Sequence, residues 1–166
     1  MRAAGRGIRA ADDGTRRSGP AAEQRFLTSY PFHPDLTEVF YSKWTQLEGF
    51  QRTRGVLRTF ALALRDAEPW DTAPLVGPAV FLSSPERAGL SEAARELTGI
   101  AATEEYEGKR QEWGSILTGE LAKARDIQTE SAGLHGRELE AAVVATFLHS
   151  QPIGQKAQTR ELLLLL

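Results

Sequence analysis

Residues 30–67, YPFHPDLTEVFYSKWTQLEGFQRTRGVLRTFALALRDA, place their apolar side chains at helical spacing, and this periodicity constrains the fold more than any other feature of the chain. The stretch reads as two amphipathic helices joined by a short Gly-containing turn. In the first, Asp35 is the expected N-cap, with Glu38 reaching back in a capping-box pattern. Leu36, Val39, Phe40, Trp44 and Leu47 form the inward stripe, and Gly49 is the expected stop. In the second, with Arg52 set to zero and about 100° per residue, Arg54, Arg58 and Arg65 fall at about 200°, 240° and 220°. Val56, Leu57, Phe60, Ala63 and Leu64 fall between about 20° and 140° on the same wheel. One face is therefore built for a core, and the other presents a row of guanidinium groups.

The flanking sequence extends the helical pattern. Residues 1–24 are rich in Ala, Gly and Arg, with Ile8 as the only large aliphatic residue, and so predict a disordered arm. Up to Arg25 this arm carries six arginines against Asp12, Asp13 and Glu23. Order is expected to begin at Tyr30, where Pro31 and Pro34 hold the backbone extended. Pro69 closes the arginine helix near Ala67, and residues 71–83 read as a loop with room for one short extended segment near 75–82. Ser84 and Pro85 make a helix start for a segment ending at Gly99. Thr103 opens a longer helix through Ile127, weakened by Gly108, Gly114 and Gly119. A further helix spans residues 136–150, broken by residues 151–154, and Gln155 begins a last helical pattern. The five leucines at 162–166 look like a helix cut partway and are compatible with self-association into a homo-oligomer. The expected fold class is all-α, a bundle of about five to six helices. It divides into the arm (1–24), a lid-like helical domain (25–134) and the truncated start of a following helical, winged-helix-like domain (135–166).

Composition excludes several functions. The 166 residues contain no cysteine, so there is no disulfide framework, thiolate nucleophile or Cys-type zinc site. The formal charge of −2 argues against wholesale electrostatic binding of nucleic acid. No apolar run approaches the ~20 residues of a membrane span, and a cytoplasmic chain without membrane contact is expected. Residues 103–110, TEEYEGKR, are the nearest approach to a phosphate loop, but Thr stands for its first Gly and Arg for its metal-binding hydroxyl. His33, His135 and His149 share no metal-ligand spacing, and Ser, His and acidic residues form no nucleophile-elbow pattern. Glu104, Glu105, Glu138 and Glu140 read as solvated acids at helix starts. No catalytic residue and no metal site is expected.

What remains is the arginine face. Arginine presents a planar fork that matches phosphate oxygens, so Arg54, Arg58 and Arg65, with Arg52 nearby, form an anion-binding candidate; the competing reading is a solvated face neutralised by Asp66 or glutamates. The runs YPFHPDLTEVFYSKW, GFQRTRGVLRTFALALRD, ELAKARDIQ and ATFLHSQPIGQKAQTRELL together resemble the region C-terminal to the nucleotide-binding core in a large family of bacterial AAA+-type ATPases often encoded in phage-defence loci. In AAA+ proteins the helical lid carries a G-x-x-R sensor-2 element, and Gly55, Val56, Leu57 and Arg58 are similar to it. The resemblance implies that Arg58, with Arg54 one turn earlier, reaches the γ-phosphate of ATP held with Mg by the preceding core. The Walker A and B elements that the family needs are absent, so the resemblance implies a partner core and no ATP hydrolysis by this chain alone. A second reading is a helical module that grips nucleic acid or protein through the arginine face or residues 136–166. A third is a fragmentary reading frame with no independent function.

Overall fold

The computed structural model describes residues 19–102, 105–106, 109–131, 133–134, 136–152, 154–159 and 162. Among the described residues six α-helices carry the fold: α1 (Pro20–Ser29), α2 (Pro34–Ser42), α3 (Arg52–Ala67), α4 (Glu92–Ala101), α5 (Trp113–Glu130) and α6 (Glu138–His149). Apart from them there is a minimal antiparallel ladder, Glu105–Tyr106 against Lys109–Arg110, and the architecture is the all-α bundle that the periodicity predicts.

Helix α1 begins inside the segment expected to be an arm, so residues 20–24 are helical; residues 1–18 lie outside the described set. Pro20 at the first helical position and Glu23 in the first turn favour the start, and Ala22 and Phe26, one turn apart, are buried. Arg25 docks the helix onto α2 through Asp35 and Glu38, the latter at 2.7 Å. That ion-pair pair replaces the expected capping box. Because Pro34 occupies the first helical position, the N-cap is His33, whose Nδ1 accepts the Asp35 N–H at 3.2 Å. Helix α2 then ends at Ser42, and the 3-10 turns Trp44–Gln46 and Glu48–Phe50 carry the remaining apolar positions into the core.

The segment near 75–82, expected to hold one short extended piece, makes isolated bridges at Val76 and, to Leu90, at Leu82. Val76 forms a single parallel bridge to Phe32, and Pro78–Phe81 is a 3-10 turn that buries Val80 and Phe81. The helix start at Ser84 fails, because Ala88 and Gly89 take φ of 55° and 86° and break the turn. Ser91 caps α4 instead, accepting the Ala94 N–H at 3.3 Å, and α4 runs through Gly99 to Ala101. The expected start at Thr103 lies outside the described residues, and α5 begins at Trp113. The last helical pattern does not begin at Gln155, because residues 155–158 have no helical backbone; beyond them only Thr159 and Leu162 belong to the described set.

Phe40 is the hub of the core. Its ring meets Phe60 at 5.0 Å, Phe81 at 5.7 Å, and Trp44 and Phe50 at 5.8 Å. Trp44 continues the chain of rings to Phe147 of α6 at 5.5 Å, and Phe147 meets Trp113 of α5 at 5.2 Å. The α6 residues Val144, Ala145, Phe147 and Leu148 therefore share one buried cluster with α2, α3 and α4. Two donors from the end of α2 satisfy the last carbonyls of α6: Lys43 Nζ donates to the His149 carbonyl (2.7 Å) and Trp44 Nε1 to that of Leu148 (3.1 Å).

Candidate functional site: the cleft at the start of α3

Helix α3 begins without a cap. Gln51, the N-cap residue, and Arg52 both hold left-handed φ, 59° and 51°; no side chain caps the end and no acid lies in the first turn. Among the described residues the N–H groups of Arg52, Thr53 and Arg54 meet no acceptor, and no acid of the first turn offsets the positive end of the helix dipole. Here the backbone of Phe50 comes close to α3. A Cβ on Gly55 would lie 1.7 Å from the Phe50 carbonyl oxygen, so the glycine of the G-x-x-R element is required by this approach.

Beside it lies a cleft of about 270 Å³ lined by Arg54, Gly55, Arg58 and Thr59 of α3, by Gly49, Phe50 and Gln51 of the preceding turn, and by Glu96 and Ile100 of α4. Arg54 and Arg58 stand one turn apart and are both exposed. Arg58 is forked onto Glu96: its Nη2 donates to Oε1 at 2.7 Å and its Nε to Oε2 at 3.2 Å. That hydrogen bond and the Glu96 charge raise the Arg58 pKa above its already high ordinary value. Among the described residues Arg54 makes no ion pair.

The other two arginines are not brought to this cleft. Arg52 faces a separate hollow formed with Thr45, Gln46, Leu47, Glu48 and Gln51. Arg65 sits two turns beyond Arg58 and is held by Asp66 and Glu92, each at 2.9 Å; both hydrogen bonds raise its pKa. The row of arginines is thus a row only on the helical wheel. Glutamates of α4 and Asp66 neutralise much of it, and Arg54 with Arg58 are the part that shares a cavity. Sequence reasoning missed Glu96 and Ile100 as members of the site. Their signal was the spacing 92, 96, 100 on one face of α4, but which helix that face meets depends on the fold.

A second polar cluster lies elsewhere. The Arg137 guanidinium grips Glu140 through two hydrogen bonds (2.7 and 3.0 Å), donates to the Ser83 carbonyl (2.6 Å) and lies 5.5 Å from the centre of the Trp70 ring. Gln128 of α5 donates to the same carboxylate at 2.9 Å. Burial pushes the Glu140 carboxyl up, but the Arg137 and Gln128 hydrogen bonds outweigh it and leave the pKa below its ordinary value. A hollow of about 550 Å³ adjoins this cluster, lined by Trp70, Asp71, Pro74, Pro78, Arg137 and Glu138 among others. Its polar groups bond within the protein: Asp71 accepts the Ala73 N–H and Glu138 the Gly136 N–H, both at 2.9 Å. The cluster ties α5, α6 and the 83–85 loop together.

Among the described residues no group of His, Asp and Glu has the arrangement of a metal site, and no helix is long and apolar enough to cross a membrane. His33 caps α2, His149 closes α6, and His135 lies outside the described residues. Comparison with protein-family models, curated proteins and solved structures finds no match.

Proposed function

We propose that this chain is the helical lid of an AAA+-type ATPase, reading the terminal phosphate of ATP through Arg58 and Arg54 when joined to a nucleotide-binding core. The observation that carries this reading is the shared cleft: of the basic residues on α3, the pair in the G-x-x-R region opens into one cavity, at the uncapped positive end of the helix. Two guanidinium forks a turn apart suit the oxygens of one phosphate group. The size of the cleft supports a partial site. Pockets that enclose a whole small ligand measure roughly 300–1,000 Å³, and about 270 Å³ of open cleft holds a phosphate end, leaving base and ribose to another domain. ATP, and the Mg that accompanies it, would be bound mainly by that core.

In this reading the chemistry belongs to the core, and the lid contributes positive charge that meets the phosphate only on closure. Bound nucleotide is thereby coupled to lid position. Gly55 acts by letting the Phe50 backbone approach α3, which sets where Arg54 and Arg58 emerge. The test is Arg58→Ala in the intact parent protein. ATP turnover should fall at least about tenfold, as expected for loss of a charge that stabilises a transferring phosphoryl group, while thermal stability stays near wild type because Arg58 is exposed. Unchanged turnover would remove the assignment.

A further inference from the structure

We infer that Glu96 is a carboxylate latch on this cleft: it holds the Arg58 fork until the terminal phosphate of a polyphosphate, arriving at Arg54, displaces it. The inference rests on the phosphate reading above and adds a regulation to it.

Helices α3 and α4 meet along a ladder of side chains. On α4 the ladder residues recur every four positions, Glu92, Glu96 and Ile100. Opposite them on α3 stand Arg65, Arg58 and Arg54. The first two rungs close, Glu92 on Arg65 at 2.9 Å and Glu96 on Arg58 at 2.7 Å. At the third, isoleucine stands where a carboxylate would complete the series, and Ile100 lines the cleft together with Arg54. The ladder therefore leaves open the arginine next to the latched one. An incoming anion meets Arg54 first and Arg58 second.

Exchange at Arg58 is chemically matched. Carboxylate and phosphate each offer two oxygens to the guanidinium fork, and a terminal phosphate near neutral pH brings a charge of about −1.5 to −2 against −1 for the glutamate. Both partners are substantially exposed, 64% for the Arg58 side chain and 38% for Glu96, so the pair is weak and the displaced carboxylate has solvent to turn into. The latch then sets a threshold: a singly charged anion leaves it closed, and a polyphosphate, whose neighbouring groups reach Arg54 and Arg58 together in the shared cleft, opens it.

The experiment is calorimetric titration of the whole chain with pyrophosphate, and in parallel with inorganic phosphate, at low ionic strength. The variants are Glu96→Gln, Arg58→Ala in the Glu96→Gln background, Arg54→Ala, and Glu48→Gln as a charge-matched control at an exposed acid beside Gly49. Glu96→Gln should tighten pyrophosphate binding about threefold or more, the order expected when a weak exposed pair is removed from a competing site. Glu48→Gln should change it less than about 1.5-fold, Arg58→Ala should erase the gain, and Arg54→Ala should weaken binding throughout. If Glu96→Gln and Glu48→Gln act equally while both arginines remain necessary, the latch is wrong and the phosphate site stands. Binding that ignores Arg54 and Arg58, or absence of binding in every variant, overturns both. Inorganic phosphate binding as tightly as pyrophosphate overturns the polyphosphate assignment.

Discussion

Two residues show how little of a side chain's role lies in its type. Gly55 resembles a motif glycine, yet its requirement here is steric: any Cβ would press into the Phe50 carbonyl. Gly55→Ala should destabilise the chain by about 3 kcal/mol, the range of overpacking at a site where backbone must move, and thermal melting checks it; an unchanged melting temperature would mean the approach is looser than described. Glu140 makes the opposite case, an acid at an expected solvated helix start that is 2% exposed and paired with Arg137. Its carboxyl is held below the ordinary value, so the stabilisation is full above the unfolded pKa of about 4.3 and is lost as pH falls through the lower folded value. Glu140→Gln leaves the Arg137 guanidinium buried without its anion and should cost about 3 kcal/mol at pH 7. Urea unfolding at pH 7, 5 and 3 should show the gap between variant and wild type narrowing toward pH 3. A gap independent of pH would contradict the pairing.

Among the elements, α3 was the most legible and also shows where legibility stopped. Its length and its two-faced character follow from periodicity, and it ends at Ala67 as Pro69 requires. The buried arc is displaced from the expected one: Val56, Thr59, Phe60, Ala63 and Ala67 are inside, while Leu57 is 66% exposed. A wheel treats threonine as polar and every leucine as inward, whereas the packing of α4 against one flank of α3 decides the orientation. Phe60→Ala should therefore cost about 3–5 kcal/mol through loss of contacts with Phe32, Phe40 and Phe81, and Leu57→Ala should stay within about 0.5 kcal/mol. Denaturant midpoints of the two variants test this directly, and equal losses would restore the wheel's centre. Helix α1 was missed because composition averaged over residues 1–24 hid Pro20 and Glu23 at the end of that segment and cut them off from Phe26 just beyond it. The start at Ser84 was overridden by two consecutive left-handed residues, a conformation that Gly89 announces but Ala88 does not. For the site, Arg54, Gly55 and Arg58 were readable along one helix; Glu96 was not, because its role depends on which helix α4 meets.

At the scale of the molecule, the boundary expected between residues 134 and 135 falls between α5 and α6, which share the Trp113–Phe147 contact and the Arg137, Glu140 and Gln128 network. The strongest tie between early and late sequence is the end of α2. Trp44 is fully buried, stacks with Phe40, and gives its indole N–H to the carbonyl of Leu148, more than a hundred positions away. This makes Trp44 an optical gauge of the assembled fold. With Trp70→Phe and Trp113→Phe leaving it as the sole indole, its emission should be blue-shifted in buffer, and its red shift in urea should coincide with the loss of far-ultraviolet ellipticity, as a single cooperative unit requires. A red shift that precedes the loss of helix would reveal α6 peeling away while the rest stays folded. Trp44 does not line the cleft, but its ring meets that of Phe50, which does, at 5.6 Å, so in buffer an emission change without loss of ellipticity reports an event at α3, and a change that accompanies that loss reports the scaffold.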